Sequence, residues 1–174
     1  NEWMADPTSG SDWFEIYNGD TLPVALAGLL LRDNGNTFVI PELSFMGVGL
    51  FGFQRFEADG DTAAGADHVN FSLGRNADSI NLLTPQGNLI DFCRWTIPQT
   101  TDVAEGRLPD GAASLVKFPT TPSPEASNYL PLTNVVVSEV LAHSDPPFED
   151  AIELRNLTGA TVDISGWYLS DSEN

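Results

Sequence analysis

One cysteine, Cys93, is all the chain contains, so no disulfide can form within it and packing alone must hold the fold. Cys93 lies in a strand-like apolar stretch and reads as a small buried hydrophobe, since a nucleophilic thiol needs an accessible, electropositive setting. Basic residues are scarce as well: 7 Lys and Arg stand against 25 Asp and Glu, a net charge of −18. Phosphate contacts come mainly from Lys and Arg, so nucleic acid is excluded as a partner, and an anionic membrane surface is disfavoured for the same reason. No apolar run approaches the roughly 18–20 residues of a membrane span, which leaves no expectation of membrane insertion. A basic, apolar leader is missing at the start, so a signal peptide, if the protein has one, lies upstream. Both ends, Asn1 inside the patterned Asn1-Glu2-Trp3-Met4-Ala5 and Asn174 just after another patterned segment, read as cut from a larger polypeptide. A sustained 3.6-residue apolar period is missing too, which argues against helices.

What is present fits a folded protein. Hydrophobic residues make up 41% and aromatics 10%, more than a disordered acidic chain carries. The 174 residues suffice for one domain of roughly 110–130 residues plus a piece of another. The 15 Gly and 12 Pro recur every few residues, as turns between short strands require. Strands are predicted at 13–17, 23–26, 29–32, 37–41, 48–56, 69–73, 79–83, 89–95 and 114–118, with 79–91 forming an antiparallel hairpin around Pro85 and Gly87. The alternation is clearest in Trp13-Phe14-Glu15-Ile16-Tyr17, where Phe14 and Ile16 share a face. From Pro119 the composition turns to Pro, Ser, Thr and Ala, which reads as an extended linker.

The opening of the chain recurs beyond that linker. Glu2, Ala5, Glu15, Asn18, Val24, Gly28, Leu31 and Asp33 have identical counterparts in Glu139, Ala142, Glu153, Asn156, Val162, Gly166, Leu169 and Asp171, and apolar pairs fill the sites between them. One β-unit repeated in tandem is the reading. The expected organisation is a sandwich over 1–118, a linker over 119–134 and the first strands of a second copy over 135–174. Three short strands bury too little surface to stand alone, so the second copy is expected to add to an open edge of the first domain, to exchange with a neighbouring molecule, or to stay mobile.

Through Ala151-Ile152-Glu153-Leu154-Arg155-Asn156 and Val162-Asp163-Ile164-Ser165-Gly166-Trp167-Tyr168-Leu169-Ser170-Asp171 the chain resembles the lamin tail domain (intermediate-filament tail domain) of bacterial exported and surface proteins. Phe71-Ser72-Leu73, Asn88-Leu89-Ile90-Asp91 and 99–111 extend the resemblance, residues 41–67 are the least typical, and Leu29 stands where the family has Trp. The resemblance implies an all-β, immunoglobulin-like antiparallel β-sandwich followed by a truncated second copy. It also implies an extracellular or cell-surface location in a bacterium, and no catalytic residues.

Among candidate sites, Glu15 and Glu153 alternate away from the apolar face, which points to carboxylates bridging to loop amides, with a cation ligand as the alternative. Asn18 and Asn156, with Gly28 and Gly166, read as turn-makers. Glu57, Asp59 and Asp61, near Asp67 and His68, have calcium-like composition without a complete EF-hand loop, so a solvated loop is weighed against a Ca²⁺ site. The acidic loops 6–12 and 144–150 read as a shared surface loop. His68 and His143 have no acidic or Ser partner at motif spacing, and no zinc, nucleophile-elbow or phosphate-loop motif is present. Trp3, Trp13, Trp95 and Trp167 are weighed as core residues against a flat sugar platform. The leading functional expectation is a non-catalytic structural or adhesive module of an exported protein, meeting protein partners or further copies through its β-edges. The alternative is a carbohydrate- or Ca²⁺-binding accessory domain of an exported hydrolase.

Overall fold

A computed structural model of the chain describes residues 1–143, 145–147, 149–165, 167, 169 and 170. The chain divides into two compact units, Asn1–Leu130 and Pro131–Asn174.

The first unit is all β. Its strands are β1 (Glu2–Met4), β2 (Asp12–Tyr17), β3 (Val24–Ala25), β4 (Leu30–Arg32), β5 (Thr37–Val39), β6 (Phe45–Met46), β7 (Phe53–Ala58), β8 (Asp78–Leu83), β9 (Leu89–Trp95), β10 (Ala104–Arg107) and β11 (Leu115–Phe118). They form a five-stranded sheet in the order β11-β10-β1-β2-β7, a four-stranded sheet in the order β5-β4-β8-β9, and a small β3–β6 pair. Every pairing of these strands is antiparallel. One apolar core joins Trp3, Phe14 and Phe56 of the first sheet to Leu31, Phe38, Ile80 and Trp95 of the second, so the two sheets make a sandwich. Trp3 stacks on Trp95 at 5.5 Å between ring centroids. Burial of each such side chain contributes about 1.5–3 kcal/mol, set against the entropy of ordering it.

Local chemistry explains the turns. Thr84-Pro85-Gln86-Gly87 closes the β8–β9 hairpin with Gly87 N–H donating to Thr84 O at 2.8 Å and Gly87 at φ +84°, a conformation that suits glycine. Asp33 Oδ1 accepts the amides of Gly35 and Asn36 and bends the chain from β4 into β5. Gly106 in β10 is forced by crowding: a Cβ there would lie 2.6 Å from Asn1 O and 3.0 Å from Glu2 Cα.

Three expectations are corrected. Residues 48–56 do not run as one strand, because Gly49–Phe51 coil into a 3-10 turn before β7 begins. Residues 69–73 form no strand, only the isolated bridge Asp59↔Ser72; Val69, Phe71 and Leu73 alternate inward because a loop fills the core there. Residues 119–130 are not linker but part of the first unit, with Thr121, Ser123 and Asn128 buried.

The second unit holds β12 (Val135–Leu141) and β13 (Ala151–Asn156), an antiparallel hairpin with a bulge between Val137 and Glu139. Val136, Val137, Val140, Leu141 and Ile152 are exposed on it.

Candidate functional site

The densest polar chemistry of the first unit is a pair of carboxylates on neighbouring strands. Glu2 of β1 and Glu15 of β2 face each other in register, and both are almost wholly buried, at 1% and 2% exposure. Strand alternation places their side chains opposite Trp3, Phe14 and Ile16, hence on the outer face of the five-stranded sheet. The segment 119–128 crosses that face. Both carboxylate oxygens of Glu2 accept the Ser123 amide, at 3.2 and 3.1 Å, and Oε2 also accepts the Ser123 hydroxyl at 3.4 Å. Glu15 Oε2 accepts the Glu125 amide, and its Oε1 takes the Asn1 side-chain amide at 3.3 Å. Asn128 completes the clasp, donating from Nδ2 to Arg107 O at 2.9 Å and from its backbone to Asp110 Oδ1 at 3.0 Å.

Burial dominates the electrostatics. It raises both Glu2 and Glu15 from 4.5 to about 7, against the lowering effect of the amides that they accept. Adjacent carboxyls with raised pKa values are also a pattern of acid–base catalysis. Here both heads accept amides of the segment that crosses them, Ser123 for Glu2 and Glu125 for Glu15.

An apolar crevice of about 170 Å³ runs beside β1 and β2, lined by Trp3, Phe14, Ile16, Ile80, Leu82 and Cys93, with Glu2 and Glu15 also at its wall. Arg107 spans it, binding both oxygens of Asp91 at 2.9 Å and Phe92 O at 3.2 Å. Together with the bulge near Leu83, this blunts the free edge of β9, as sheets commonly do to prevent unwanted pairing. Burial pushes the Cys93 thiol up to about 11, the reverse of what a nucleophile needs. Alkylation of Cys93 by iodoacetamide near pH 8 is therefore expected to run about a hundred-fold slower in the native chain than in the denatured one; equal rates would place the thiol in an open, activating site.

The loop with calcium-like composition is occupied by its own contacts. Glu57 pairs with Arg55 at 2.7 Å, Asp61 accepts the Ala63 amide, and Asp59 takes the Asp61 amide on one oxygen and His68 Nδ1 on the other at 2.7 Å. The bond to Asp59 is the first cause raising the His68 pKa, a partnership that sequence spacing had not shown. Among the described residues no three His, Cys, Asp or Glu side chains gather closely enough to hold a metal ion. Trp3, Trp13 and Trp95 are buried, so they form no sugar platform; Trp167 is partly exposed.

The repeated positions show a second correspondence. Glu139 and Glu153 are register partners in β12–β13, as Glu2 and Glu15 are in β1–β2, yet both are exposed. Asn18 accepts the Asp20 amide and donates to Leu22 O; Asn156 accepts the Thr158 amide and donates to Ala160 O, the same turn displaced to the second unit. Both asparagines thus make their turns with the side chain. Gly28 stands at φ +77° before β4, whereas Gly166 and Asp171 lie outside the described residues.

No protein-family model, curated protein or solved structure matches this chain.

Proposed function

We propose that the chain is a non-catalytic interaction module of the lamin-tail kind, with an immunoglobulin-like sandwich, from an exported or cell-surface bacterial protein. Residues 135–174 are then the opening of a second copy, and the module meets protein partners or further copies through strand edges and loops. The observation that carries this reading is the shared register: two hairpins place glutamate opposite glutamate and follow the second strand with the same asparagine turn. Support also comes from the way the most unusual ionisable groups are used. Glu2 and Glu15 tie down backbone amides, and Asp59 and His68 tie down each other. Among the described residues no helix is long and apolar enough to cross a membrane.

The accessory-domain alternative is tested by melting the protein with millimolar Ca²⁺ and with soluble polysaccharides. A ligand at a hundred times its Kd stabilises the native state by about 2.7 kcal/mol, a shift of roughly 5–10 °C at this size. No shift is expected; a shift of that order would favour the ligand-binding reading.

A further inference from the structure

One end of the sandwich carries a surface that core packing does not explain. Segments 18–25 and 42–53 meet there around Asn18, whose side-chain amide donates to Leu22 O at 2.9 Å and to Gly47 O at 2.7 Å, while its backbone N–H donates to Gly52 O at 2.8 Å. The β3–β6 pairing adds Val24↔Met46 and Ala25↔Phe45. On this frame Leu22, Leu43, Phe45, Leu50 and Phe51 stand 65–86% exposed. Phe51 packs over Gly47, where a Cβ would lie 2.7 Å from the Phe51 Cβ, so the protruding turn is fixed rather than splayed.

Leu43 makes the surface harder to dismiss. It combines φ +65° with 86% exposure. Glycine or asparagine would suit that backbone better, and any polar residue would suit water better. A covered state accounts for an apolar side chain there and offsets the cost of its backbone.

We infer that this loop end, built on Asn18, is a self-association face through which two copies of the chain pack tip to tip. Two observations select a second copy as the occupant. At roughly 150–200 Å² for a residue of this size, the five side chains expose about 700 Å². That exceeds the largest apolar patch of most monomers and approaches the ~800 Å² per partner of a stable interface. Charge is the other: the two segments hold no Lys or Arg and only Asp20 and Glu42 as acids, in a chain of net charge −18. Copies approaching here bring few like charges together, and a two-fold contact lets the same patch cover itself.

The inference rests on the reading that the module works by contact, and it is tested separately from the ligand melts. Sedimentation of the 174-residue chain over a range of concentrations should show a reversible dimer that tightens with added salt, as repulsion between the acidic bodies is screened. Leu50→Asp with Phe51→Asp should leave a monomer at every concentration, with the wild-type melting temperature. Leu43→Asn should weaken the dimer at least ten-fold while raising the melting temperature, because asparagine tolerates the left-handed backbone. A wild-type chain monomeric throughout, or a dimer untouched by the double substitution, overturns the inference. So does a monomer that floats with phosphatidylcholine vesicles, which would make the tip a lipid contact.

Discussion

Replacing Glu2 and Glu15 together by glutamine is expected to remove the fall in stability that they cause between pH 5 and pH 8, and to leave the variant more stable than the wild type at pH 8. Burial, the largest cause, raises both carboxyls from 4.5 to about 7 in the folded chain. Below 4.5 both states are protonated and the full stability is present. Between 4.5 and 7 the unfolded chain releases its protons while the folded chain holds them, so stability falls as pH rises; above 7 the loss is complete. At about 1.4 kcal/mol per pKa unit the loss is about 3 kcal/mol for each carboxyl taken alone. The two titrate as a pair because they face each other across β1 and β2. Glutamine keeps an acceptor for the Ser123 and Glu125 amides and carries no charge to desolvate. Asp12, also raised by burial, leaves a slope of the same sign in the variant, and the buried Asn1 ammonium, lowered by burial, leaves one of the opposite sign. Urea unfolding at pH 5 and pH 8 measures the effect; equal pH slopes in the two proteins would show that the carboxyls are not desolvated. Relative to Glu2→Gln, Glu2→Ala, which leaves the buried Ser123 amide without its acceptor, should cost about 1–3 kcal/mol at either pH.

The second large effect lies in the core. Phe14 is 1% exposed and stacks between Phe56, at 5.4 Å, and Phe71, at 6.1 Å. It projects from β2, which is paired on both sides by β1 and β7, so the backbone around it has little freedom to collapse into a void. Phe14→Ala should therefore cost about 3–5 kcal/mol, a large part of the 5–15 kcal/mol that a domain of this kind possesses. The expected signature is a lower urea midpoint with an unchanged slope. A loss under about 1 kcal/mol would mean that the two sheets do not close over this ring.

The sequence and the structure agree where a single periodicity governs burial. In β2, Phe14 and Ile16 alternate with Trp13, Glu15 and Tyr17, and the inner face follows from that pattern alone. The outer face misleads, because Glu2 and Glu15 lie under a covering segment that composition presents as linker. Proline and serine there do not mark looseness. Small side chains let the 119–128 backbone approach two carboxylates closely, and that need shows only when Glu2 and Glu15 are seen side by side. The repeat offered the available clue, since glutamate recurs at both positions amid apolar neighbours. The 69–73 segment fails for the opposite reason: Val69, Phe71 and Leu73 alternate as a strand would, but they fill the core from a loop with no ladder beside them. β10 is not legible in the sequence because Gly106 and the charged Glu105 and Arg107 resemble a turn, whereas the glycine is needed for close approach to Asn1 and Glu2.

Across the first unit the ionisable groups serve closure: a carboxylate pair holds a strap, an arginine spans the crevice, and an aspartate holds the histidine of its own loop. Hydrogen exchange at the Ser123 and Glu125 amides, followed by NMR, tests this most directly. Acceptance by buried carboxylates should protect both amides to the level of the β1 and β2 ladder, and Glu2→Ala should release Ser123 first. Exchange at the rate of an open loop in the wild type would contradict the account and return 119–128 to the status of a linker.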